Sequence, residues 1–171
     1  MSTKTFETNR LILRATTVND ASFIVELLNT PKWLKYIGDR NVHTIEDAVR
    51  YIKDKFNPHL KQYGYSTYSV IKKDDHTIIG TCGLYNREDI EGVDIGFAFL
   101  PEYEGKGYAF EAANRLKQAA FEDFNLTFIK AITLPNNTSS QKLLERLGFT
   151  FKSLINIPND EETLMLYELK A

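Results

Sequence analysis

The chain has one cysteine, one tryptophan, three histidines and five prolines among its 171 residues. A lone Cys82 cannot close a disulfide within the chain, so burial rather than cross-linking must hold the fold. Its neighbours Ile78, Ile79, Gly80 and Thr81 read as a strand, which makes a buried, inert thiol the expected state. No His/Cys/Asp cluster has metal-ligand spacing, and no metal is expected. No apolar run approaches membrane-spanning length, and Met1 to Arg10 is too polar for a signal peptide. Charge of neither sign dominates: 21 Lys and Arg stand against 23 Asp and Glu, a net charge of −2. That balance argues against a nucleic-acid partner and against a disordered charged tail. No repeat, low-complexity segment or linker interrupts the chain. The expectation is a cytoplasmic protein with no membrane contact.

What is there suits a single domain over 1–171. Hydrophobic residues make up 43% and charged residues 26%, enough for a sizeable core. Leu11 to Leu13 form a short strand pattern. Thr16 to Asp20 supply capping residues for a helix with Ala21, Ile24, Leu27 and Leu28 on its apolar face, and Pro31 should end it. Trp33 to Ile37 then read as loop. Thr44-Ile45-Glu46-Asp47 resembles a capping box. The helix it opens should bury Ile45, Ala48, Ile52 and Phe56 and stop at Pro58. Strand patterns follow at 65–72, 77–85 and 91–100, the first two joined by a turn at Asp74-Asp75-His76. Gly96, inside the third, suggests a bulge or a close approach. A helix pattern runs through Ala109, Ala113, Leu116, Ala120 and Phe124. A strand at 127–134 comes next, then a helix capped by Asn137 or Thr138 with Leu143, Leu144 and Leu147 inward and Gly148 as its stop. Strands at 149–155 and 163–169 close the chain, with a turn at Pro158-Asn159-Asp160. This order is α+β: a mixed, mostly antiparallel central sheet. The unit from 93 to 134 needs a right-handed crossover and so one parallel pair.

The stretch Glu104-Gly105-Lys106-Gly107-Tyr108-Ala109 lies between a strand and a helix N-terminus. Glycines allow a ligand to reach the backbone, and the first helical N–H groups lack internal partners. Such a turn suits a phosphate or diphosphate. A Walker-A loop would need glycine where Leu100 stands and Ser or Thr where Gly107 stands. A Rossmann fingerprint would need glycine at Phe110. The acetyl-CoA loop pattern Gln/Arg-x-x-Gly-x-Gly/Ala departs only at its first residue, Glu104, whose carboxylate should point away from a diphosphate.

Three further stretches resemble the GCN5-related N-acetyltransferase (GNAT) family. They resemble in particular the branch that acetylates ribosomal-protein N-termini at alanine or serine. Thr8-Asn9-Arg10-Leu11-Ile12-Leu13-Arg14 resembles the branch's opening ERLxLR. Asp94-Ile95-Gly96-Phe97-Ala98-Phe99-Leu100-Pro101 resembles its EIGYWLxP strand. Asn137 to Ser140 with Leu143 to Phe149 resembles its NxxSxxxLEKxGF helix. The matches run from 8 to 149 in the family's order.

The resemblance implies a splayed parallel strand pair with helices on both faces of the sheet. It implies acetyl-CoA as co-substrate and a primary amine as acceptor, a protein N-terminus or a small molecule. It leaves a homo-oligomer open. It assigns acetyl-CoA contacts to Phe97, Ala98, Phe99, Glu104, Gly105, Lys106, Gly107, Tyr108, Ala109 and Asn137. Many relatives protonate the leaving thiolate with a tyrosine on the last helix. Leu144 stands there, and Ser140 matches the serine thought to serve instead, although an early-turn serine also caps helices. Asp94 matches an acid that serves as general base or orders a water; otherwise it is a carboxylate on a solvated face. Trp33, Tyr36, Tyr63, Tyr65 and Tyr85 are candidates for the acceptor side, or else packing residues. His43 reads as surface. A non-catalytic CoA-binding domain is the alternative, supported only by the missing tyrosine and by Glu104.

Overall fold

A computed structural model describes residues 3–158 and 160–171. Strands β1 (Phe6–Glu7) and β2 (Leu11–Ala15) lead into helix α1 (Ala21–Leu28). Helices α2 (Pro31–Tyr36), α3 (Ile45–Tyr51) and α4 (Asn57–Tyr63) follow. Next come β3 (Thr67–Lys72), β4 (Ile78–Asn86) and β5 (Val93–Phe99). Then α5 (Tyr108–Glu122), β6 (Phe128–Thr133), α6 (Thr138–Arg146), β7 (Thr150–Asn156) and β8 (Thr163–Lys170) complete the order. The strands form one sheet in the order β1-β2-β3-β4-β5-β6-β8-β7. Every pairing is antiparallel except β5 with β6.

Two cores lie on opposite faces, as the strand alternation shows. Phe97 and Phe99 pack with α5 and α6, against Leu13, Tyr68, Leu116 and Leu144. Ala98 and Leu100 pack with α1 and α3, against Ile24, Leu27, Ala48 and Ile52. Ala112, Ala113, Ala119 and Ala120 of α5 are fully buried; such small side chains let the helix lie close on the sheet. Cys82 is buried, and burial pushes its thiol up to about 12.

Two prolines do the opposite of what their positions suggest. Pro31 does not end a helix; it opens α2 as a first-turn residue behind the Thr30 cap, whose hydroxyl accepts the Trp33 N–H at 3.3 Å. Trp33 and Tyr36 therefore stand on a helix, not in a loop. Pro58 does not stop the second helix either. The chain widens into a π-helical segment, Ile52–Phe56, in which the Asn57 N–H reaches back to the Ile52 carbonyl. That wider turn interrupts the usual ladder just where proline has no N–H to offer, and α4 continues to Gly64, at φ +85°. The Thr44–Asp47 capping box forms as expected, but Ile45 beside it is exposed. Gly96 marks no bulge: it pairs in register with Gly83, and the Tyr85 ring lies over both. The two-residue strand β1 has no counterpart in the sequence reading. The turn at Pro158 to Asp160 includes Asn159, which lies outside the described residues.

Candidate functional site

The site is organised by the strand pair that parts. The only registered pair between β5 and β6 is Asp94 with Lys130, near the start of β5. Beyond it the two strands separate, as expected. On its other edge β5 is paired with β4 throughout, Leu100 N–H reaching Ile79 at 2.9 Å. The ladder alternates, so the N–H and C=O groups of Phe97 and Phe99 point away from β4 into the gap.

At the end of β5, Pro101–Tyr103 make one 3-10 turn and the glycine loop begins. Gly105 lies at φ +73° and Gly107 at φ +83°, conformations that side chains with a Cβ disfavour. Gly107 is the N-cap of the 15-residue α5 and carries no side-chain cap. Among the described residues, the backbone N–H groups of Gly105, Lys106, Gly107, Tyr108, Ala109 and Phe110 make no hydrogen bond. Six successive donors without a partner, at the positive end of a helix, make a loop suited to cradle an anion.

Arg10 braces this loop. Its guanidinium pairs with Glu111 at 2.7 Å, donates to the Lys106 carbonyl at 3.1 Å, and lies 4.2 Å from the centre of the Tyr108 ring. The sequence placed Arg10 in a matching stretch without showing that role. Glu104 turns its carboxylate to Lys32 on α2. Lys106 extends over the Tyr103 ring at 5.9 Å. A groove of about 630 Å³ continues from Gly107 along the outer side of α5, past Phe110 and Asn114 to Arg115 and Arg146.

Across the gap, Asn137 caps α6, its side-chain oxygen accepting the Ser140 N–H at 3.3 Å. Ser140 is half-buried in the first turn, and its hydroxyl makes no hydrogen bond among the described residues. Leu144 is buried in the core, one turn further on. Asp94 is not on a solvated face: it is 1% exposed and accepts from Arg87 Nε at 2.9 Å. Burial raises its pKa above the ordinary value, against the opposing pull of Arg87. Arg87 was not singled out in the sequence because only the fold brings it to Asp94.

The aromatic candidates divide. Tyr85 pairs across the strands with Asp94, and its hydroxyl bonds Thr67 Oγ1 at 2.8 Å. Burial raises its pKa. His59 lies beside it, 6.1 Å between ring centres, fixed by the Asn86 N–H on one nitrogen and the Tyr65 carbonyl on the other. Trp33 packs into the second core, its indole N–H buried without a partner among the described residues. Trp33 and Tyr36 make no ring contact with Tyr85 among the described residues. His43 is exposed. Among the described residues no group of His, Cys, Asp and Glu could hold a metal, and no helix is long and apolar enough to cross a membrane.

Comparison with known proteins agrees with this geometry. The family description "acetyltransferase (GNAT) domain" matches residues 10–150. The chain is 33% identical over 158 residues to an uncharacterised N-acetyltransferase, p20, of Bacillus licheniformis, covering 89% of this chain and 85% of the relative. Its fold is similar to that of a ribosomal-protein-S5-alanine acetyltransferase from Vibrio fischeri: TM-score 0.80, 24% identity, 98% of this chain and 96% of the other. It is also similar to a ribosomal L7/L12 alpha-N-protein acetyltransferase solved with coenzyme A: TM-score 0.81, 18% identity, 98% of each chain.

Proposed function

The chain belongs to the GNAT family of acetyl-CoA-dependent N-acetyltransferases, and from that premise we propose that it acetylates a primary amine, a protein N-terminus or a small-molecule amine, by direct attack on the thioester. The observation that carries this reading is the run of six unpartnered N–H groups at Gly105 to Phe110, beside the open edge of β5.

Acetyl-CoA supplies an activated acyl thioester when bound. The loop N–H groups hold its diphosphate, and the outer groove of α5 is open to its nucleotide end. The open backbone of Phe97 to Phe99 pairs with the amides of the pantetheine arm like an added strand, with Asn137 facing it from α6. N–H groups at the parted edge are free to polarise a carbonyl. A neutral amine is needed for attack, so the protonated form must first lose a proton. Asp94 accepts it, directly or through water; its raised pKa makes it a stronger base than an ordinary carboxylate. As the C–S bond breaks, Ser140 relays to the departing sulfur the proton that the newly acylated nitrogen sheds, and the positive end of α6 stabilises the developing negative charge. Leu144 has no proton to give.

Trp33, Tyr36 and Tyr85 border the acceptor, and the whole chain acts as one catalytic domain. A cytoplasmic setting, where thiols stay reduced, fits the single buried Cys82. The test is release of CoA thiol across a panel of small amines and N-terminal peptides. Turnover with at least one class, lost in the Asp94→Asn variant, is the expected result; no turnover with any amine would sink the reading.

A further inference from the structure

The departure at Glu104 has a partner 72 positions away. Lys32 Nζ contacts the Glu104 carboxylate, at the residue immediately before Gly105. Both side chains are partly exposed, 52% for Lys32 and 33% for Glu104, and an exposed pair of this kind adds little to stability. Nor does Lys32 help its own helix. It sits in the first turn of α2, where the helix dipole disfavours a cation, and α2 has no acid there to offset it. The location of the pair is what distinguishes it. It stands beside the run of six unpartnered N–H groups to which the proposed function assigns a diphosphate. There a bare carboxylate would repel the ligand. An ammonium held by one carboxylate keeps further N–H donors for a second anion.

We propose that Lys32 binds the diphosphate of the acetyl donor and that Glu104 delivers it there. Together they replace the single donor side chain that the family's loop pattern carries at position 104. The inference rests on the reading of the loop as the diphosphate site. It also ties α2, with Trp33 and Tyr36, to the cofactor loop.

A double-mutant cycle in calorimetry with CoA separates direct contact from simple neutralisation of Glu104. Lys32→Met alone should weaken binding about tenfold or more, the size of a lost charge-assisted hydrogen bond. That result alone is ambiguous, because it also leaves Glu104 unpaired. The decisive comparison is Lys32→Met/Glu104→Gln against Glu104→Gln. The double variant should remain about tenfold weaker, with CoA and equally with dephospho-CoA, which keeps the diphosphate but lacks the 3′-phosphate. If the double variant binds like Glu104→Gln, Lys32 only neutralises its partner and the proposal fails. If the deficit vanishes with dephospho-CoA, the contact is to the 3′-phosphate and the proposal also fails. Gly107→Asp is the control for the underlying reading. Unchanged CoA affinity there overturns the loop assignment itself. Lost affinity there, together with a null cycle, overturns only the role of Lys32. Unchanged Tm in the Lys32 and Glu104 variants, and a cooperative unfolding transition well above the assay temperature in Gly107→Asp, confirm that binding, not folding, is measured.

Discussion

Two polar regions of this molecule differ in how far their hydrogen bonds are met. At the start of the chain, Asp20 is buried and saturated. Arg14 grips it with two bonds of 2.8 Å, the Thr17 N–H donates at 3.0 Å and the Ser69 hydroxyl at 3.1 Å. Thr16 in turn bonds Ser69 at 2.8 Å. In the glycine loop, six successive backbone donors have no partner among the described residues. A saturated network has nothing left to offer a ligand, so its work is to hold β2, β3 and α1 together. An unsaturated one is stable only because water or a ligand completes it.

The contrast is broken most severely at Gly107. Gly107→Asp places a carboxylate in the cradle, and two like charges about 4 Å apart at an effective dielectric near 20 repel by about 4 kcal/mol. CoA affinity should fall roughly a thousandfold, measured by calorimetry on the folded protein, and Tm should drop by a few degrees from the strain of a Cβ at φ +83°.

Asp20→Asn tests the other side. Removing the charge leaves Arg14 with a buried neutral partner and should cost about 3 kcal/mol of stability in urea unfolding, with CoA affinity unchanged in the folded fraction. The two buried aspartates also titrate in opposite senses. Burial opposes ionisation of Asp20, but the Arg14, Thr17 and Ser69 hydrogen bonds outweigh it and hold the carboxyl below the ordinary range. Its stabilisation is therefore complete above the unfolded value of about 3.9 and is lost as pH falls through the lowered folded value.

Ser140→Ala should lower turnover roughly ten- to a thousandfold at saturating substrate, with acetyl-CoA affinity little changed. Near-normal turnover would reduce Ser140 to a first-turn residue whose N–H serves the Asn137 cap. For Asp94 the expected effect is a shift of a pH limb. Its carboxyl must be ionised to accept a proton and its pKa is raised, so kcat/KM should rise with pH through a value above the ordinary carboxylate range. Arg87→Met, which removes the opposing cation, should move that limb higher still. A limb unmoved in Arg87→Met would separate Asp94 from the proton transfer.

The smallest effect sharpens the comparison. Gly64 shares the left-handed conformation of Gly107, at φ +85° against +83°, but a Cβ there would meet nothing within 4 Å. Gly64→Ala should cost only the backbone strain, about 1 kcal/mol, and leave CoA binding alone.

Local physics accounts for what could be read from the chain alone. The strand–glycine–helix order, the Thr44 and Asn137 caps, the Gly148 stop and the burial of Cys82 each depend on neighbours within a turn or an alternation. The family pattern added the parting of β5 from β6. The two prolines misled because their effect depends on context. Pro31 follows a capping threonine, and Pro58 stands just after a π-helical segment, Ile52–Phe56, that interrupts the usual ladder where proline has no N–H to donate. The charged groups around the site were beyond reach for a different reason. Arg10 meets the Lys106 carbonyl across 96 positions and Lys32 meets Glu104 across 72. Arg87 and Asp94 are only seven apart, yet a turn and a strand pairing must form before they meet. Sequence by itself determined where a glycine-led helix start leaves a run of backbone N–H groups without partners, because that arrangement needs no distant residue. Only the tertiary structure decided which side chains stand around it, because a long charged side chain takes its partner from whatever the fold brings within reach.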